Sequence, residues 1–170
     1  MADSGVTVLR DATRTDAAAI HGLIHELAEY ERLAHEHVGD VAALERHLFG
    51  PQPFAHVVIA ERGVELAGFA LYFFSYSTFR CQPSLYLEDL FVRPALRGNG
   101  IGRKLLAELA RRALDSDCGR MEWAVLDWNE PSIGFYRGLG ALPMDEWTTF
   151  RLTGDALSRL AALGSAGRAS

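Results

Sequence analysis

The spacing of apolar residues changes period along this chain, and each change marks an element. VTVLRDA (Val6 to Ala12) starts as a short strand. Thr15 or Asp16 is placed to cap the helix that follows. In that helix Ile20, Leu23, Ile24 and Leu27 recur at i, i+3, i+4 and i+7, which defines one apolar face. Asp40 is a cap for a second helix carrying Val41, Leu44 and Leu48, and GPQP (Gly50 to Pro53) is a breaker. The period then becomes strand-like. HVVIAE (His56 to Glu61), a turn at Arg62-Gly63, and the aromatic-rich ELAGFALYFFSYS (Glu65 to Ser77) predict a hairpin; SLYLEDLFV (Ser84 to Val92) predicts another strand.

A helix follows with Ile101, Leu105, Leu109 and Ala113 inward. RMEWAVLD (Arg120 to Asp127) is strand-like. Pro131 suits the first turn of a short helix from Glu130 to Gly140, stopped by glycine. WTTFRLT (Trp147 to Thr153) is expected to close the sheet. A short helix is expected over Asp155 to Leu163, and GSAGRAS at the end is expected to be loose. The order is β-α-α-β-β-β-α-β-α-β. The early strands are antiparallel, while the unit from Ser84 to Asp127 requires a parallel pair joined by a right-handed crossover. The fold class is therefore α/β (α+β), a mixed, mostly antiparallel sheet flanked by helices.

Bulk properties narrow the function. A chain of 170 residues favours one domain spanning 1–170. Cys81 and Cys118 form no CxxC pair and read as free thiols in a reducing compartment. The N-terminal residues lack the apolar core of a secretory signal, so a cytoplasmic location is expected. The longest apolar stretch, Leu66 to Phe74, is far below the ~20 residues of a membrane helix. A net charge of −5 argues against a nucleic-acid partner and tolerates a cationic ligand.

The densest chemical signal is RGNGIG, Arg97 to Gly102, at the mouth of a helix. Glycine inside a helix costs about 1 kcal/mol relative to alanine, so three glycines here mark a turn or a close approach to the backbone. A helix N-terminus has unpaired N–H groups and partial positive charge, and phosphate is its usual guest. Two common phosphate motifs fit badly: the third glycine is one place early for G-x-G-x-x-G, and Lys104 is followed by Leu105 rather than Ser or Thr. Spacing alone leaves a ligand-free glycine turn open.

Context adds a resemblance. Arg97-Gly98-Asn99-Gly100-Ile101-Gly102 is similar to the R/Q-x-x-G-x-G/A signature of the GCN5-related N-acetyltransferase (GNAT) superfamily. YLEDLFV (Tyr86 to Val92), WNEPSIGFYRGLGA (Trp128 to Ala141) and HELAEYERL (His25 to Leu33) together resemble its diamine (spermidine/spermine) branch, with the thialysine-acetylating relatives. The likeness runs from Val6 to about Leu157 and implies a GNAT fold, in which the parallel pair is splayed.

The resemblance implies acetyl-coenzyme A as cosubstrate. Its diphosphate would rest on backbone N–H groups of Arg97, Gly98, Asn99, Gly100, Ile101 and Gly102, and its arm would run beside Leu90, Phe91 and Val92. Arg103 and Lys104 either reach phosphate or are solvated. Asn129 and Ser132 either contact the arm or cap their helix. An alkylammonium titrates near pH ~10.4, so its free amine at pH 7 is disfavoured by ~4–5 kcal/mol and a base is required. By family pattern Glu88 is that base, through water, and Asp89 is a substrate-side carboxylate. Strand alternation sends these neighbours to opposite faces unless a bulge or splay intervenes. Tyr136 matches the general acid that protonates the leaving thiolate; by pattern alone it is a packing residue. Tyr30, Glu31, Glu146 and Trp147 match acceptor-binding positions. The implied reaction is direct transfer of acetyl to the primary amine of a small cationic acceptor, by a homodimer. RLAHEHVGD departs from the more acidic segment of polyamine enzymes, which weighs against spermidine and spermine. Rival functions are a peptide lysine acetyltransferase and a non-catalytic acyl-coenzyme A sensor. His21 and His25 are spaced i, i+4, but HGLIH lacks the HExxH glutamate, so no metal site is expected.

Overall fold

The structure, a computed structural model, describes residues 5–165. The chain divides into two compact units, one ending at Ala124 and one beginning at Val125. Residues 166–170 of the expected loose tail lie outside the described residues.

In the first unit the predicted periods become elements with little displacement. The strands are β1 (Thr7–Asp11), β2 (His56–Arg62), β3 (Glu65–Ser77), β4 (Gln82–Val92) and β5 (Met121–Trp123). They form one sheet in the order β1-β2-β3-β4-β5. The first three pairings are antiparallel and β4–β5 is parallel. The helices are α1 (Ala17–Tyr30), α2 (Val41–Phe49) and α3 (Ile101–Asp115). The apolar face of α1 (Ile20, Leu23, Leu27) joins Leu48 of α2 over Val57, Ile59, Phe69, Leu71 and Phe91 of the sheet. Helix α3 packs on β3 and β4, with Ile101, Leu105, Leu109 and Ala113 buried as their spacing predicts.

Caps differ in detail. Asp40 Oδ1 accepts from the Ala43 N–H at 2.7 Å and starts α2 as expected. Asp16 does not cap α1. Its carboxylate accepts from Thr13 N–H at 2.7 Å, closing a 3-10 turn over Arg14–Asp16, and is gripped by the Arg10 guanidinium at 2.8 and 2.9 Å. That ion pair holds the Asp16 carboxyl well below the usual carboxylate range. The hairpin turn lies at Gly63-Val64, one residue later than expected, with φ +64° at Gly63.

Two strand expectations are corrected. The strand expected over Arg120 to Asp127 covers only Met121–Trp123, paired with Leu85–Leu87. Its pairing stops where β4 bulges: Leu71 opposes Asp89 but Tyr72 opposes Leu87, leaving Glu88 as the extra residue. In the second unit, α4 (Glu130–Gly138) and α5 (Gly154–Ser165) form, but Trp147 to Thr153 make no strand. Strand propensity is realised only on a ladder, and among the described residues this unit contains no strand to supply one; Trp147 and Phe150 are exposed.

Gly68 on β3 has a packing role that no sequence pattern showed. A Cβ there would lie 2.3 Å from Phe91 O and 3.0 Å from Val92 Cα, both backbone atoms of β4. Gly68→Ala is expected to lower stability by about 2–4 kcal/mol, read as a reduced midpoint in denaturant.

Candidate active site

The bulge at Glu88 organises the first unit's candidate residues. Before it, Leu85 N–H donates to Arg120 O, so odd-numbered backbone groups point toward β5. After it, Arg93 N–H donates to Ala67 O on β3. Alternation then places the Phe91 groups toward β3 and those of Leu90 and Val92 on the opposite edge. β4 runs on to Val92 although its pairing with β5 ends at Leu87. The edge at Leu90 and Val92 is therefore open where the parallel pair parts. Side chains switch as well. Phe91 and Asp89 pair with Phe69 and Leu71 on the α1 side, while Leu87 pairs with Tyr72, whose hydroxyl meets Arg112 of α3 at 3.0 Å.

This switch creates an acidic site at the C-terminal end of α1. Glu88 is exposed on the bulge, and Asp89 is turned into the α1 face. Burial, then the charges of Glu88 and Glu31, push the Asp89 carboxyl up from 3.8 to about 6. Burial also raises Glu31. Tyr86 is raised by burial and then by Glu88 and Glu122. Glu88 and Glu31 thus both act on Asp89 electrostatically, and a cation brought beside it would relieve the repulsion. Tyr30 lies beside this group under Arg97, whose guanidinium carbon is 4.3 Å from the Tyr30 ring centroid and 5.8 Å from that of Phe91. Arg97 Nε donates to Val92 O at 2.9 Å.

The glycine loop follows directly. Gly98 and Gly100 have φ of +80° and +75°, and a Cβ on either meets nothing within 4 Å. Their role is conformational, and the space beside them is clear. Gly102 lies in the first turn of α3. Arg97 N–H donates to Pro94 O and Lys104 N–H to Gly100 O; among the described residues, the amides from Gly98 to Arg103 have no such turn or loop acceptor. Gly100 is the N-cap and brings no side chain to them. Asn99 Nδ2 donates back to Leu96 O at 3.0 Å, tightening the loop. Arg103 and Lys104 are exposed. Such a cradle fits a diphosphate by the chemistry of its donors. Gly100→Ala is expected to cost about 1–2 kcal/mol through its left-handed backbone, read in denaturant melts, with no clash to relieve.

In the second unit, buried Asn129 caps α4: its Oδ1 accepts from Ser132 N–H at 3.3 Å. Tyr136 is half-buried on α4, its ring 5.5 Å from that of Phe135. Glu146 and Trp147 lie in the irregular segment between α4 and α5, both exposed. Among the described residues, no helix is long and apolar enough to cross a membrane, and no group of three His, Cys, Asp or Glu side chains is arranged to hold a metal ion.

Sequence reasoning did not find the contact of Arg97 with Tyr30, and it raised a bulge at Glu88 and Asp89 only as one alternative to the splay. A signal for the bulge was present: apolar residues on one face step from Leu85 and Leu87 to Leu90 and Val92, changing parity.

An open strand edge beside a glycine-rich helix mouth and an acidic site matches an established family. The profile of the acetyltransferase (GNAT) family matches residues 20–141. A thialysine N-epsilon-acetyltransferase of Bos taurus is 40% identical over 165 residues, covering 91% of this chain and 96% of that protein. The L-ornithine N5-acetyltransferase NATA1 of Arabidopsis thaliana is 32% identical, covering 89% and 86%. Among solved structures, an integron cassette protein of V. cholerae superposes with a TM-score of 0.77 at 25% identity, covering 91% of this chain and 97% of that one. The chain belongs to the GNAT acetyltransferase family. It is an acyltransferase, and acetyl-coenzyme A is its acetyl donor.

Proposed function

We propose that this enzyme acetylates the primary amine of a small cationic acceptor: a diamine, a polyamine or a thialysine-like amino acid. One observation carries the reading: Asp89, repelled by Glu88 and Glu31, lies where β4's open edge begins. The relatives named for thialysine and ornithine acetylation support an aminoalkyl acceptor.

The roles are those the family resemblance implies, and the chemistry of each residue is consistent with them. Amides from Gly98 to Gly102 hold the diphosphate, with Arg103 and Lys104 at its rim; the Arg97 amide, expected to join them, donates to Pro94 O instead. Backbone groups of Leu90 and Val92 guide the arm, and the Leu90 N–H polarises the acyl oxygen; the backbone of Phe91, expected beside them, is turned into the β3 ladder instead. The donor supplies a thioester, an activated acyl group. Asp89, Glu31 and Tyr30 receive the acceptor's cationic end; Glu146 and Trp147 keep the acceptor-binding role that the resemblance implies. Glu88, exposed on its bulge, takes the amine proton through water. Tyr136 holds a proton at Oη for the leaving thiolate, and Asn129 and Ser132 steady the arm beside it.

The two units act as one domain over 1–170, since the family match runs across their boundary. The functional form is a homodimer, as the family resemblance implies. Two free thiols fit a cytoplasmic location. Release of coenzyme thiol across an amine panel tests the reading. Turnover with diamines, polyamines or thialysine is expected. Turnover confined to lysine peptides would reassign the acceptor, and none with any amine would make the chain a sensor.

A further inference from the structure

Residues 34–39 join the first unit through one side chain. From Ala34 to Asp40 every residue is exposed except His37, which is half-buried. His37 meets two histidines one turn apart on α1. Its ring centroid is 4.6 Å from that of His21 and 5.4 Å from that of His25. Its Nδ1 is 3.2 Å from His25 Nδ1. Two such nitrogens can share a hydrogen bond only if one accepts, so at least one of the two rings must be neutral. His21 Nε2 donates to Gly39 O at 2.9 Å and ties the same segment to α1.

We propose that His21, His25 and His37 form a pH-operated latch: neutral rings hold residues 34–39 on α1, and mild acid releases them. Each added proton removes an acceptor and places like charges on touching rings. The neighbouring charges do not offset this. On α1, Glu29 Oε1 is 3.5 Å from His25 Nε2, a contact made to His25 and not to His37. On the segment, His35 Nε2 and Glu36 Oε1 pair with each other at 3.5 Å. At the start of α2 the Asp40 carboxylate is engaged by Ala43 N–H.

The sign follows from burial and the two facing histidines, which lower His37 below its ordinary 6.5. The released segment takes up protons more readily than the docked one. Docking is therefore complete above about pH 6.5 and weakens as pH falls below it. Because Tyr30 and Glu31 immediately precede this segment, release would also raise the KM for the amine. That consequence rests on the proposed function; the latch itself does not.

The test is a pH series of proton–nitrogen correlation spectra of the full chain from pH 7.5 to 5.0, with a chelator present. The latch predicts that wild-type amides of residues 34–39 move together toward random-coil positions, with a midpoint below 6.5. In His37→Gln, which cannot charge, they stay unchanged across the series. If that variant is undocked throughout, the double variant His21→Gln, His25→Gln decides: the His37 midpoint should return to about 6.5. Wild-type amides that do not move, or a His37 midpoint unaffected by the double variant, overturn the proposal. Neither result depends on acetyl transfer, so loss of turnover in the amine panel leaves this test intact.

Discussion

Replacing Tyr136 with phenylalanine should lower kcat by about 10²–10⁴-fold while leaving binding of acetyl-coenzyme A unchanged. The argument is chemical. A thiolate is the leaving group, and its thiol titrates near ~8.5, so a positioned O–H accelerates its departure. The ring contact with Phe135 is kept by phenylalanine, so α4 should fold as before. Stopped assays of thiol release and calorimetry of the donor separate the two effects. Equal loss of donor affinity would make Tyr136 a packing or binding residue. Undiminished kcat would remove it from the chemistry.

Asp89→Asn should make the protein more stable and the enzyme worse. In the folded chain Asp89 keeps its proton to about pH 6, against 3.8 ordinarily. Between those values the folded state binds more protons than the unfolded one, so stability falls as pH rises through the window and the penalty is complete above pH 6. That rise corresponds to roughly 3 kcal/mol. Asparagine carries no charge and escapes that penalty. Guanidinium melts should show Asp89→Asn ahead of wild type by up to about 3 kcal/mol at pH 7.5, with the gap closing below pH 4. Turnover should move the other way, since a charged hydrogen bond to the acceptor is worth about 1.5–3 kcal/mol, or roughly 10–100-fold in kcat/KM. A variant no more stable at pH 7.5 would mean that Asp89 is solvated. On the proposed reading, native stability is given up here to keep a carboxylate at the acceptor site.

Much of the first unit was legible because its elements bury one face each. Ile20, Leu23 and Leu27 announce α1, and Ile101, Leu105 and Leu109 announce α3, because helical period and burial agree. The glycine loop was legible because positive φ at Gly98 and Gly100 is a local demand that few residues meet. What failed depended on distant partners. Asp16 looks like a cap until Arg10 and Thr13 claim its carboxylate. Trp147 to Thr153 has strand composition but no ladder. LED was recognisable as a candidate site. Yet the coupling of Asp89 to Glu31 arises only because the bulge turns one strand position toward the end of a helix some sixty residues earlier. His21 and His25 were visible as a pair; His37 joins them through tertiary packing alone.

The most direct test of the whole account is calorimetric titration of the purified chain with acetyl-coenzyme A and with free coenzyme A. One equivalent should bind per chain, and Gly98→Ala and Gly100→Ala should each weaken it while the fold persists. No association with either ligand at millimolar concentration would contradict the claim that the Gly98–Gly102 amides seat a diphosphate.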